Sequence, residues 1–197
     1  MANNKVNINF MISYNELKKG IRVIIDKEPY EILESSPMFK ARGHSVLQTK
    51  LKNLKTGNII SRTFHPYESF EEADVLRKEA KFIYSHKEKY VFSEKDNPSQ
   101  RFELTGDQIG EKKEFLKSNQ LVGALIFNNE VINIALPIKI NLKVTEAPPG
   151  IKGERAQAGT KTATLETGAK INVPIFINSG DIIEVNSETG EYVRRVE

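Results

Sequence analysis

Tyr30-Glu31-Ile32-Leu33-Glu34-Ser35-Ser36-Pro37-Met38-Phe39-Lys40-Ala41-Arg42-Gly43-His44-Ser45-Val46-Leu47-Gln48-Thr49-Lys50-Leu51 is the stretch around which the chain is organised. Tyr30–Glu34 alternates polar and apolar residues, and Ser45–Leu51 is strand-like again, so the residues between are expected to form a hairpin-type connection. On the second strand Lys50 and Lys52 share a face with Gln48 and leave Leu47, Thr49 and Leu51 for the other. From Ser35 to Tyr67 there is no Asp or Glu, while Lys40, Arg42, Lys50, Lys52, Lys55 and Arg62 all fall inside. A cationic loop standing on a cationic sheet face suits phosphate. The plain alternative is a solvated surface hairpin that lacks acids.

Working outward, Ile21–Ile25 reads as a strand and Asp26-Lys27-Glu28-Pro29 as a turn. Lys55-Thr56-Gly57-Asn58 makes the next turn and Ile59–Phe64 returns. Four short strands at regular spacing predict a small barrel. Ser13-Tyr14-Asn15-Glu16 has capping-box spacing, but Lys18-Lys19-Gly20 limits any helix there to about a turn. Met1–Phe10 reads as a loose tail. After His65-Pro66-Tyr67 come Glu68, Glu71, Glu72 and Asp74, and that change of charge predicts a domain boundary near residue 73.

Further on, Ala80–Tyr84 pairs naturally with Lys89–Phe92, and Thr105–Leu116 is the best helix candidate. Leu121–Phe127 and Val131–Leu136 flank the hairpin signal Asn128-Asn129-Glu130. Pro137 marks an edge or crossover into Ile138–Val144. Beyond a stretch rich in Gly, Ala and Thr, the segments Thr162–Glu166, Ala169–Val173, Asp181–Asn186 and Glu191–Val196 read as strands, with a final turn at Ser187-Glu188-Thr189-Gly190. The fold class is mainly β: a tail at 1–10 and three small barrels at 11–73, 74–138 and 139–197.

With 197 residues, the chain suffices for one large domain or two to three small ones. A net charge of +3 is mildly basic and by itself establishes no nucleic-acid partner. The absence of Cys excludes disulfides, thiol catalysis and Cys-based metal centres, and fits a reducing cytoplasm. No apolar run has the length of a membrane span, and Met1–Phe10 has no signal-peptide core. A cytoplasmic location without membrane association is expected.

No constellation points to catalysis. His44, His65 and His86 lie in separate segments without metal-ligand spacing, so no metal or cofactor is expected. No Ser has a recognisable His–acid arrangement, and Glu71-Glu72 with Asp74 reads as a solvated interdomain segment. Gly159-Thr160-Lys161-Thr162 lacks the Lys directly after Gly, and the following helix, that a phosphate-binding loop requires. The chain is read as a non-enzyme.

The last third carries the most specific signal. Lys161, Ala163, Gly168, Ile171, Val173, Pro174, Ile177 and Gly180 follow an ordered pattern that resembles the signature of the bacterial elongation factor P family. Ser187–Val196, Pro149-Gly150-Ile151-Lys152-Gly153 and Lys50-Leu51-Lys52-Asn53-Leu54 are also similar to that family, so the resemblance runs from about residue 11 to the end.

The resemblance implies an SH3-like (KOW-like) first barrel and two OB-like barrels, arranged in an L. It implies a translation factor that binds the ribosome between the peptidyl and exit sites and stimulates peptide-bond formation stalled at consecutive prolines. Its partners would be the ribosome, peptidyl-transfer RNA and ribosomal RNA, with the factor acting as a monomer. Aligned through Lys50-Leu51-Lys52, Arg42 stands at the family's tip position, followed by Gly43. In many members that residue is modified, Lys types with β-lysine and some Arg types with rhamnose, so a modifying enzyme acting on Arg42 is a further implied partner. Lys40-Ala41 replaces the usual Pro-Gly, which leaves Lys40 as a second tip candidate, and Lys40, Gly43 and His44 count among the RNA-binding candidates. Lys50, Lys52 and Arg62 are the other RNA-binding candidates of the first barrel, and Tyr192 and Arg195 carry over as contacts toward the small subunit. A related family, initiation factor 5A, lacks the third barrel. The runner-up is a generic OB-type single-stranded RNA binder, which stacks bases on exposed aromatics; the basic strands here interleave few of them.

Overall fold

The computed structural model describes residues 11–39, 45–148 and 159–196. The chain divides into two compact units, Met1–Arg77 with Leu125–Asn133, and Lys78–Ala124 with Ile134–Glu197. Among the described residues the fold is mainly β, as the sequence predicts.

The first six strands are β1 (Met11–Ser13), β2 (Arg22–Ile25), β3 (Glu28–Phe39), β4 (Ser45–Asn53), β5 (Ile59–Phe64) and β6 (Ser69–Glu71). Strands β2-β3-β4-β5 form an antiparallel sheet in sequence order, and β1 pairs with β6. Leu17, Val23, Ile25, Ile32, Leu47, Leu51 and Phe64 make their common core, with Phe70 edge-on to Phe64 at 4.6 Å between ring centroids. The expected faces of β4 are observed: Leu47, Thr49 and Leu51 are buried, whereas Gln48 and Lys50 are exposed and Lys52 is half-buried. The short turn of helix at Tyr14–Glu16 opens with the Ser13 N–H donating to Glu16 Oε2 at 2.9 Å.

Two local readings change. The connection after Glu34 is shorter than the predicted one, because β3 continues through Ser36, Pro37, Met38 and Phe39, whose partners are Gln48, Leu47, Val46 and Ser45. Strand β2 pairs with β3 only as far as Glu31, so β3 is an edge at Pro37 and loses no ladder on that side. The acidic segment after Tyr67 is not merely solvated: Glu71 pairs with Met11, and Glu72 bridges to Val23.

The middle strands are β7 (Leu76–His86), β8 (Lys89–Glu94), β9 (Arg101–Thr105), β10 (Leu121–Phe127) and β11 (Glu130–Ala135), in the order β11-β10-β7-β8-β9. Two tight turns use left-handed pairs, Lys87-Glu88 (φ 47° and 59°) and Asn128-Asn129 (φ 51° and 65°), as two-residue hairpins require. Phe92 stacks on Phe102 at 5.2 Å and lies 5.3 Å from Phe82, giving this sheet its aromatic core. The predicted helix is present but short: α1 (Gly106–Ile109) continues as a 3₁₀ turn over Gly110–Phe115. Its cap, Thr105, accepts a hydrogen bond from the Gln108 N–H at 3.3 Å.

The last sheet has the order β14-β13-β12-β15-β16, from β12 (Lys139–Glu146), β13 (Thr160–Leu165), β14 (Lys170–Pro174), β15 (Ile182–Asn186) and β16 (Tyr192–Val196). Pro137 lies outside the strands, at the crossover. Along β12, Ile140, Leu142 and Val144 are buried and alternate with exposed Lys139, Asn141 and Lys143, the period of a sheet packed on one face.

Candidate nucleic-acid interface

Register decides what the first sheet presents. Lys52 stands across from Glu31, which stands across from Arg22, so one row reads Arg22–Glu31–Lys52–Ile59. The next row in the same sense is Glu34–Lys50–Ser61. Arg22 Nε donates to Glu31 Oε2 at 3.3 Å, and Lys50 Nζ lies 3.0 Å from Glu34 Oε2. The stretch without acids in sequence is therefore faced by acids in space, supplied by β3. The Lys50–Glu34 pair is exposed and worth about 0–1 kcal/mol, whereas the Arg22–Glu31 pair is half-buried and Arg22 also donates to the Val75 carbonyl at 3.0 Å. The face is a screened cationic surface rather than a bare one.

Arg62 does not join it. It stands across from Thr49, on the face of Leu47 and Phe64, with its guanidinium 5.4 Å from the Phe64 ring centre and 3.6 Å from Asp26. The long aliphatic part of the side chain covers the rim of the core while the charge stays outside.

At its turn end, β4 is fixed by Asn53. Its buried side chain accepts from the Lys55 and Thr56 N–H groups at 2.9 Å each and donates to Glu28 Oε2 at 2.6 Å. The Lys55 carbonyl accepts in turn from Asn133 Nδ2 at 3.1 Å. At its other end the β3–β4 pair runs past its neighbour: β5 stops at Phe64, opposite Leu47, while Met38–Val46 and Phe39–Ser45 continue without a third strand on that side. A two-stranded extension therefore leads to residues 40–44. Lys40, Arg42, Gly43 and His44 lie outside the described residues.

Tyr192 and Arg195 lie on β16, the edge of a different sheet. Tyr192 is half-buried across from buried Val185, and Arg195 reaches Asp181 at 3.8 Å while remaining exposed. Between them in the chain, Arg194 is committed to the fold. It donates to Glu184 Oε2 at 3.2 Å, and Lys139 lies 3.2 Å from Glu184 Oε1. The Arg194 hydrogen bond, with that of Lys139, holds the Glu184 carboxyl below its usual range against the opposing effect of its burial.

Sequence reading missed the neutralising partners Glu31, Glu34 and Asp26, because they precede the acid-free stretch and only strand register brings them back. Asn53 and Asn133 carried no signal beyond their polarity. Among the described residues no group of three His, Asp or Glu side chains is arranged to hold a metal ion.

Three family matches cover these sheets in order. The Elongation factor P (EF-P) KOW-like domain matches residues 13–70, the EF-P OB domain residues 75–134, and the Elongation factor P C-terminal family residues 140–195. Elongation factor P of Natranaerobius thermophilus is 40% identical over 186 residues, covering 94% of this chain and 98% of its own. That of Moorella thermoacetica is 39% identical over 185 residues, covering 94% and 100%. Among solved structures, eukaryotic translation initiation factor 5A from Methanococcus jannaschii superposes with a TM-score of 0.49 at 16% identity, covering 66% of this chain and 92% of that one.

Proposed function

The chain belongs to the elongation factor P family of translation elongation factors, and on that premise we propose that it binds the ribosome between the peptidyl and exit sites and speeds peptide-bond formation stalled at consecutive prolines. In this reading the first barrel approaches the acceptor end of the peptidyl-transfer RNA. The third barrel meets the small subunit through Tyr192 and Arg195. Three domains, at 11–73, 74–138 and 139–197, are part of the proposal, and the family matches over 13–70, 75–134 and 140–195 support it.

The observation that carries the reading is the β3–β4 extension, which leads past the end of β5 toward the segment bearing Arg42. A projecting hairpin that ends in permanent cations holds an RNA end by charge and position. No proton-transfer group is needed, because the benefit is entropic: the reacting end is held where the ribosome performs the chemistry. The screened Lys50 and Lys52 face contributes phosphate contacts. Modification of Arg42 by a dedicated enzyme would lengthen the reach of the tip.

Arg42→Ala is the test. Folding and ribosome binding should persist, while synthesis through consecutive prolines falls strongly and messages lacking them are little changed. Lys40→Ala should do less. If Lys40→Ala abolishes rescue and Arg42→Ala retains it, Arg42 is not the tip; if neither matters, the hairpin is not the working end.

A further inference from the structure

Two side-chain hydrogen bonds hold the first sheet at the end away from its projecting hairpin, and each ends on a backbone carbonyl. Arg22, on the outer strand β2, donates through Nη1 to the Val75 carbonyl at 3.0 Å, one residue before β7 begins. The Arg22 carbonyl accepts in return from the Ala73 N–H at 3.0 Å, and Glu72 bridges to Val23, so residues 72–75 are tied closely to β2. Glu31 Oε2 fixes the same guanidinium through Nε at 3.3 Å. The second bond comes from β11, where Asn133 is 1% exposed and donates through Nδ2 to the Lys55 carbonyl at 3.1 Å. Leu125–Asn133 and Met1–Arg77 belong to one compact unit, so both bonds lie inside it.

Strand register shows why the place of these bonds matters. Arg22, Glu31 and Lys52 form one row, and Lys55 follows Lys52 by three residues, whereas the β3–β4 pair ends at Phe39 and Ser45. The seven residues from Lys52 to Ser45 span about 24 Å along β4, while β2 and β4 are two strand spacings apart, about 10 Å. Slack of about 1 Å at one bond, turning about the other, therefore becomes about 2 Å at Ser45. The Lys55 turn passes on any such movement because it is itself stiff. Buried Asn53 accepts from the Lys55 and Thr56 N–H groups, and the Asn53 carbonyl accepts from the Gly57 N–H at 2.8 Å. A misplacement of about 1 Å can cost a positioned reaction about 100-fold.

We propose that Arg22 and Asn133 are positioning residues, which aim the β3–β4 hairpin by holding the opposite end of its sheet, Arg22 on the Val75 carbonyl and Asn133 on the Lys55 carbonyl. This rests on the function proposed above, in which that hairpin carries the working tip. Neither side chain meets RNA in this role. Asn133 is buried, and the Arg22 guanidinium is engaged by Glu31 and by Val75, which disfavours it as a phosphate contact. Two bonds about 10 Å apart resist turning as a single chain connection cannot, and a planar fork of donors serves Glu31 and Val75 together where a point charge does not.

The experiment uses the full chain. It has no Cys, so Thr63→Cys on β5 and Glu130→Cys on β11 place two spin labels uniquely, both at exposed positions of the same compact unit. Arg22→Ala and Asn133→Ala should each broaden the label-to-label distance distribution about twofold over the parent. Without labels, each should lower synthesis through consecutive prolines about tenfold at saturating factor. The factor concentration giving half the effect should stay parental, and so should the slope of ribosome affinity against salt, because no phosphate contact has been removed. Arg22→Lys keeps the charge but not the fork, so its distribution should be as broad as that of Arg22→Ala. A parental distribution in Arg22→Ala overturns the proposal, as does parental rescue by a variant whose distribution has broadened. Full recovery in Arg22→Lys, with a reduced salt slope in Arg22→Ala, also overturns it and makes Arg22 a phosphate contact. Should Asn133→Ala fail to fold, Arg22→Ala decides alone. If the parent protein fails to rescue, the proposed function falls, while the label distances still report whether the two residues hold the sheet. If the parent rescues and no variant broadens, only this inference falls.

Discussion

The hairpin β13–β14 and the hairpin β3–β4 are built from the same elements and put to opposite uses. In the first, residues that make the chain recognisable in sequence face inward: Ala163, Val173 and Ile177 are 0% exposed, and Lys161 and Ile171 are buried. Gly168 and Gly180 sit at φ 89° and 97°, where a side chain would be strained. In the second, the last four residues of β3 are all exposed, and the strand pair leaves its sheet behind. A family signature is in this case a record of packing and turn geometry, and the surface that would meet RNA is where this chain departs from the pattern. Strong resemblance in one hairpin therefore says little about the working chemistry of the other.

The comparison is sharpened most by a cavity. Leu165→Ala should lower stability by about 2–5 kcal/mol, since the buried site cannot collapse fully, whereas Met38→Ala on the projecting hairpin should stay within about 0.5 kcal/mol. Urea unfolding of both variants measures the contrast. Equal losses would mean that the projecting hairpin is packed after all.

A smaller effect is expected from charge in the last sheet. The Glu184 carboxyl is held low by Arg194 and Lys139, so its contribution is present above the ordinary Glu value of 4.5 and is lost as pH falls through the lower folded value. Glu184→Gln should unfold at lower urea than the parent at neutral pH, and the gap should close in acid as the parent's carboxyl protonates. A gap independent of pH would show that the ion pairs contribute nothing and that packing alone distinguishes the variant.

The smallest change in stability belongs to the first sheet. Lys50→Glu with Lys52→Glu breaks the one exposed Lys50–Glu34 pair, so melting should shift little, but ribosome affinity should fall and lose about two units of its slope against log salt. An unchanged slope would mean that this face is merely solvated, and would leave the hairpin end as the working part of the barrel.

By itself the sequence determined the strand periods, the tight turns at Asn128-Asn129 and Ser187–Gly190, the capping box at Ser13–Glu16, and the family. Each is written locally, in alternation or in residues whose backbone preferences allow few conformations. What only the tertiary structure decided was which side chains share a surface. Antiparallel register returned Glu31 and Glu34 to Lys52 and Lys50, and sent Arg62 to the opposite face from both. The stop of β5 at Phe64 left the β3–β4 pair running on past its neighbour. Charge and exposure depend on neighbours distant in the chain, and a strand pairing shifted by one residue would have exchanged every one of those neighbours.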